Sequence, residues 1–255
     1  MYIDTHCHLS KEDYSDIDLV ISENEKANVH TIIVSACTKE TILEALELSK
    51  KHSGVFLTIG FHPSEASKIS DEDLQKMEKQ ILSSSKVVGI GEIGLDYHYG
   101  RENVLEQQKL FRKQLELAEK LNLPVVIHSR DATQDTISIL KEYPNVIGDI
   151  HCFSGSVETA REYISMGYQL GIGGVLTFKN SHLYKVVEDV GIDHILLETD
   201  SPYLTPHPFR GMQNSSKYIP LIAKRVSEVL NLPIETVAEI TTRNALSLFD
   251  LKDKL

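Results

Sequence analysis

His6 and His8 stand two residues apart at the end of a short run, Tyr2-Ile3-Asp4-Thr5. Side chains alternate along an extended strand, so both imidazoles leave one face while Cys7 leaves the other, and the pair can chelate one metal ion. Four more residues of metal-ligand type occupy matching places. Glu92 follows Val87-Val88-Gly89-Ile90-Gly91, His128 follows Val125-Val126-Ile127, His151 closes the run 146–150, and Asp200 follows Ile195-Leu196-Leu197-Glu198-Thr199. A lone histidine or aspartate at a strand end is usually structural, but six from five strands point to a metal site. A mononuclear catalytic zinc site usually keeps three protein ligands, whereas two ions sharing a carboxylate use all six. Glu92 is then the bridge between an ion on His6 and His8 and one on His128 and His151. Ions of this kind acidify a bound water into a nucleophile near neutral pH. Asp200 and Glu92 are the expected catalytic residues, with Asp200 taking the proton of the attacking water. Two divalent ions are expected, with histidine nitrogen suiting zinc, manganese or nickel and phosphoryl chemistry suiting magnesium or manganese. His62, Arg130 and Arg210 lie just past strand ends and are expected to meet the substrate, the arginines through an anionic group such as phosphate. Glu198 and Tyr203 lie nearby.

The elements that must position these residues alternate along the whole chain. Strands are expected at 2–5, 31–35, 55–59, 87–91, 125–128, 146–151, 169–172 and 195–199, most of them apolar enough to be buried on both faces as parallel strands are. Helical spacing occupies 38–51, 71–83, 102–121, 131–143, 156–166 and the region 218–249. In 102–121, Val104, Phe111, Leu115 and Ala118 share one face, and Asn122 and Pro124 end the helix. Eight strands each followed by a helix close a (β/α)8 TIM barrel, whose active sites gather at the C-terminal ends of the strands. An open doubly wound sheet is the alternative, but no G-x-G-x-x-G follows the first strand and there is no P-loop. Residues 201–217, with Pro202, Pro206, Pro208 and Gly211, read as a long loop of the kind that carries function.

The chain has 255 residues, 41% hydrophobic and 25% charged, which fits one soluble domain spanning 1–255. No apolar run reaches the roughly 20 residues that cross a bilayer, and the first residues lack the basic and apolar regions of a signal peptide, so the expected location is the cytoplasm without a membrane partner. Cys7, Cys37 and Cys152 form neither a disulfide framework nor a C-x-x-C pair. The net charge of −11 argues against nonspecific coating of nucleic acid. It leaves room for a phosphate bound at metal ions, which are themselves the largest local charges. No obligate protein partner is implied, and a monomer is the default.

The segments Asp4-Thr5-His6-Cys7-His8, Gly91-Glu92-Ile93-Gly94-Leu95-Asp96-Tyr97, His128-Ser129-Arg130-Asp131-Ala132, His151-Cys152-Phe153-Ser154-Gly155 and Glu198-Thr199-Asp200-Ser201-Pro202-Tyr203 resemble, in order, the motifs of the TatD family of metal-dependent deoxyribonucleases. The resemblance runs on to Arg243-Asn244-Ala245-Leu246 and covers almost the whole chain. It implies a TIM-barrel hydrolase that cleaves phosphodiester bonds of DNA with divalent cations held by His6, His8, Glu92, His128, His151 and Asp200. It also draws His62 and Arg210 towards the site. Glu92 stands where many members of the wider amidohydrolase superfamily use a modified lysine. Two departures bear on substrate. His62-Pro63 is followed by Ser64 where the family often has a second histidine, and Arg210-Gly211-Met212-Gln213-Asn214-Ser215-Ser216 lacks two basic residues of the usual loop. DNA is the expected substrate. A small-molecule amide, ester or lactone is the alternative for the same metal site, and a non-enzymatic interaction module is disfavoured by the full ligand set.

Overall fold

Continuous aliphatic and β-branched runs suit strands buried on both faces. Eight of them form β1 (Tyr2–Cys7), β2 (Val29–Ala36), β3 (Val55–Ile59), β4 (Val87–Asp96), β5 (Val125–Arg130), β6 (Gly148–Ile150), β7 (Tyr168–Ile172) and β8 (Ile195–Leu197) in the computed structural model. The structure describes residues 1–252 and Lys254, and the remainder of the expected 1–255 unit, Asp253 and Leu255, lies outside the described residues. The helices between and after the strands are α1 (Ile17–Lys26), α2 (Lys39–Lys51), α3 (Asp71–Leu82), α4 (Val104–Leu121), α5 (Thr133–Leu140), α6 (Val157–Ser165), α7 (Leu183–Val190), α8 (Ile219–Leu230) and α9 (Ile234–Leu248). Polar caps start several of them: Asp16 accepts from Leu19 N–H, Ser156 from Thr159 N–H, and Thr38 with Thr41 and Ser70 with Asp73 form reciprocal boxes.

Every neighbouring pair of strands is parallel, in the order β1 to β8. The first strand then meets the last. Asp200 N–H donates to His6 O at 3.0 Å, His8 N–H to Ser201 O at 2.7 Å, and Thr5 Oγ1 to Leu197 O at 3.2 Å. The buried Asp4 carboxylate reinforces this seam by accepting Thr199 N–H at 3.1 Å and Thr199 Oγ1–H at 2.6 Å. The sheet is therefore the expected barrel with helices around it. No described helix is long and apolar enough to cross a membrane.

Alternation divides the core into two. Ile32, Val34 and Ala36 of β2 and Val55, Leu57 and Ile59 of β3 pack with the outer helices. Their neighbours Ile33 and Phe56 join Ile3, Val88, Val126 and Leu196 in an inner cluster, which Ala245 of α9 and the following Phe249 and Leu251 seal. This apolar floor lies beneath the polar upper half of the barrel.

The expected elements are present, with differences that have physical reasons. Strand β4 runs to Asp96 rather than stopping at Gly91, which places Glu92 and Asp96 within the strand. Gly94 makes that possible: its φ is +141°, and a Cβ there would lie 2.0 Å from His128 O. Strand β8 is shorter than expected because Thr199 and Asp200 turn to bond His6 O instead. The region 218–249 is two helices, since Asn231 takes a left-handed conformation (φ +51°) and Pro233 starts the next helix. Helices α1 and α7 add to those expected from spacing.

Phe249 is 1% exposed and fills the inner floor. Replacing it with alanine is expected to lower the unfolding free energy by about 3–5 kcal/mol, and with leucine by about a third of that. Urea midpoints of the two variants check this, and an unchanged midpoint for Phe249→Ala would contradict the packing role.

Candidate metal centre

A register slip on β1 aims the first two histidines. Asp4 pairs with Ile32 and Cys7 with Val34, so three steps on β1 match two on β2. Ile3 faces the inner floor, and uninterrupted alternation would send Cys7 inward with it. The extra residue reverses this, and Cys7 packs in the outer core while His6 and His8 turn into the barrel. Strand β4 has a similar slip, with Ile90 opposite Val125 and Ile93 opposite Ile127. Asp200 follows β8 with φ +52°, a left-handed conformation that aspartate tolerates, and this turn places it beside His6 and His8.

All six expected ligands meet around Glu92, whose side chain is 4% exposed. Its Oε2 lies 3.6 Å from both His6 Nε2 and His8 Nε2, and Asp200 Oδ1 lies 3.6 Å from the same two nitrogens. These separations are too long for hydrogen bonds. They are close to the roughly 3.4 Å between neighbouring ligands of a tetrahedral ion with bonds of about 2.1 Å. His6 is fully buried, yet neither ring nitrogen has a hydrogen-bond partner. A buried imidazole needs a partner, and a cation at Nε2 supplies one, so this donor set fits a divalent metal. On its other side, Glu92 Oε1 lies 2.6 Å from His128 Nδ1 and 2.9 Å from His151 Nε2, a second set of donors. One carboxylate thus presents an oxygen to each set.

Charge follows the same geometry. Burial opposes ionisation of Glu92, but the charge of His151 and the hydrogen bonds from His128 and His151 outweigh it and hold the carboxyl well below its usual range. Burial pushes His6 well below the ordinary imidazole value, and neighbouring His151 adds to the effect, which leaves the unprotonated form that a metal requires.

The residues expected around the ligands divide. His62 reaches the site, its Nε2 3.9 Å from Glu92 Oε1 and its ring centre 4.6 Å from that of His128. Ser64 N–H donates to His62 Nδ1 at 3.1 Å, with Ser64 Oγ 2.8 Å from the same nitrogen, so the serine after His62-Pro63 leaves the remaining proton on Nε2. Burial lowers the His62 pKa to about 4, against the charge of Glu92. Arg130 lines the cleft above the ligands and lies over Tyr99, its guanidinium 5.3 Å from the ring centre. Tyr203 also lines the cleft. Arg210 does not, because its guanidinium lies 3.9 Å over the Phe178 ring and its Nη1 donates to Thr205 O. The cleft encloses about 920 Å³, and its wall on the β1 and β2 side carries Glu12, Asp13 and Glu44.

Supporting residues that motif reading passed over hold the site in place. Gln107 and Gln114 of α4 are seven apart and buried on its packed face. Gln107 brackets the Asp96 backbone (Asp96 N–H to Oε1 2.8 Å, Nε2 to Asp96 O 2.9 Å), and Gln114 does the same for Phe61, beside His62 (2.7 and 3.0 Å). Polar residues on an otherwise apolar helical face were the available signal. Asn214 pins the long loop after β8 through its Nδ2, which donates to Thr199 O at 2.8 Å and to Tyr203 O.

Comparison with known proteins places this geometry among relatives. The family model described as TatD related DNase matches residues 3–250. The metal-dependent hydrolase YabD of Bacillus subtilis is 42% identical over 253 residues, covering 98% of this chain and 99% of that protein. The crystal structure of YjjV, a TatD homologue from Escherichia coli, superposes with a TM-score of 0.91 at 30% identity and 98% coverage of both chains. A TatD family hydrolase from Entamoeba histolytica, 22% identical, shares the fold with a TM-score of 0.88.

Glu92→Gln is expected to weaken zinc or manganese binding by more than the ~10–100-fold typical of losing a group outside the ligand shell, whereas Arg210→Ala leaves it unchanged. Calorimetric titration of chelator-stripped protein measures both. Wild-type affinity in Glu92→Gln would remove it from the ligand set.

Proposed function

The chain belongs to the TatD family of metal-dependent hydrolases, and on that footing we propose that it hydrolyses phosphodiester bonds of DNA at a pair of divalent ions. The observation that carries this reading is Glu92, which offers one carboxylate oxygen to His6 and His8, themselves flanked by Asp200, and the other to His128 and His151. Bound there, magnesium, manganese or zinc ions supply Lewis acidity and lower the pKa of water.

The chain's own residues do the rest. Glu92 fixes the spacing of the two donor sets. Asp200, at the mouth with its side chain 15% exposed, accepts the proton of the attacking water. His62, neutral and protonated on Nε2, donates a hydrogen bond to a substrate oxygen over the ligands. Arg130 meets a phosphate at the rim through two parallel N–H donors. The apolar floor closes the barrel from below, so substrate enters and leaves by the cleft.

The acidic wall formed by Glu12, Asp13 and Glu44 favours one other reading: the same donors acting on the carbonyl of a small amide, ester or lactone. The two readings share the metal site and differ in whether Arg130 has a phosphate to bind.

End-labelled single- and double-stranded oligonucleotides, incubated with stripped protein and added magnesium, manganese or zinc, distinguish them. Metal-dependent cleavage is expected, with Asp200→Asn lowering kcat by about 10²–10⁴-fold and Arg130→Ala raising KM. Metal binding without cleavage of any DNA, together with turnover of model esters, would transfer the function to small molecules.

A further inference from the structure

The two donor sets around Glu92 are supported differently on the far side of their imidazoles. In the second set, His128 turns Nδ1 to Glu92, and its Nε2 lies 3.1 Å from Asp96 Oδ2. His151 turns Nε2 to Glu92, and its Nδ1 lies 3.7 Å from Glu198 Oε2, beyond hydrogen-bond length but within ion-pair reach. Both carboxylates are themselves anchored. Asp96 Oδ1 accepts His98 N–H at 2.9 Å, and Gln107 brackets its backbone. Glu198 is fully buried, and its Oε1 accepts Cys152 N–H at 2.7 Å. Space for Glu198 is kept open on β7, where a Cβ at Gly171 would fall 2.4 Å from Oε2.

The first set has no such support. His8 Nδ1 faces the Ser35 backbone carbonyl at 3.1 Å, and His6 Nδ1, like His151 Nδ1, has no hydrogen-bond partner. The difference is that His151 Nδ1 faces the Glu198 carboxylate, whereas the carboxylates near His6 lie at its Nε2. A carboxylate behind a ligating imidazole accepts its far N–H, fixes the tautomer and makes the near nitrogen a stronger donor. A carbonyl does this more weakly.

We propose that Asp96 and Glu198 are positioning residues for His128 and His151, and that they make the two metal positions unequal, with the His128–His151 position the more tightly held. This rests on the two-ion reading above but not on the identity of the substrate.

Titration of the chelator-stripped full chain with zinc chloride, in competition with a chromophoric chelator, resolves the two equivalents. Asp96→Asn and Glu198→Gln keep a hydrogen-bond acceptor and remove the charge. Each is expected to weaken the tighter equivalent by about 10–100-fold while leaving the weaker one unchanged. Cobalt-substituted protein adds a spectroscopic readout: the visible band that develops with the first equivalent should shift in both variants. If the fully buried Glu198→Gln does not fold, Asp96→Asn, in the lining of the cleft, carries the test alone. Equal weakening of both equivalents, no weakening, or weakening of the looser equivalent would overturn the proposal. A wild type that takes only one equivalent would overturn it together with the two-ion reading. Unequal equivalents altered as expected, in a protein that cleaves no DNA, would uphold it and refute only the choice of substrate.

Discussion

A carboxylate taken out of water is tolerated only among groups that donate to it or carry positive charge. Glu92 is in that position at the upper end of the barrel, and four imidazoles and one further carboxylate are arranged around it. Much of the architecture serves this one buried charge. The slips on β1 and β4 rotate side chains inward that a regular strand would have sent outward, and Gly94 lets β4 pass close over His128. The inner floor of Ile3, Ile33, Phe56, Val88, Val126 and Leu196 supplies a dry base on which polar residues can be stacked without water reaching them from below. Electrostatics strengthen in such surroundings, so small displacements of the ligands carry large energetic consequences, and the supports behind them matter correspondingly.

Further supports come from outside the barrel. Helix α4 contributes two glutamines that grip backbone rather than side chains, one at Asp96 and one at Phe61, so that the strand bearing Glu92 and the turn bearing His62 are referenced to the same rigid helix. The loop after β8 is long but not loose. Asn214 within it is buried, and Tyr14 Oη–H donates to the Asn214 carbonyl at 2.8 Å, tying the loop to the segment after β1. Asp200 is therefore held from both sides.

The sequence made the barrel and the six donors legible because both depend on short-range pattern: apolar runs of strand length, and ligand residue types at their ends. What it concealed depended on register or on distant partners. The stop in the region 218–249 was readable, since Asn231-Leu232-Pro233 repeats the Asn122-Leu123-Pro124 that ends α4, but the apolar spacing on either side masked it. The β1 slip has no local signature: alternation puts His6 and His8 on one face and Cys7 on the other, but the slip decides which face turns inward. Asp4 stood in a recognisable motif, yet its partner Thr199 lies 195 residues away. Arg210 was placed by proximity in sequence to the last ligand. Its position is decided instead by Phe178, on the connection between β7 and α7, with which it stacks.

The seam between β1 and β8 also sets a schedule. Of the six donors, His6 and His8 are made first, while Asp200, next to the Thr199 that locks Asp4, is made last. Before β8 is synthesised, His6 and His8 lack Asp200, one of the two carboxylates that face them. Glu92, His128 and His151, by contrast, are drawn from β4, β5 and the end of β6, which are neighbours in the chain as well as in the sheet. One donor set is thus drawn from consecutive elements, and the other is completed only when β1 and β8 close the ring. A barrel cut short before β8 would lack Asp200 and leave the first donor set incomplete.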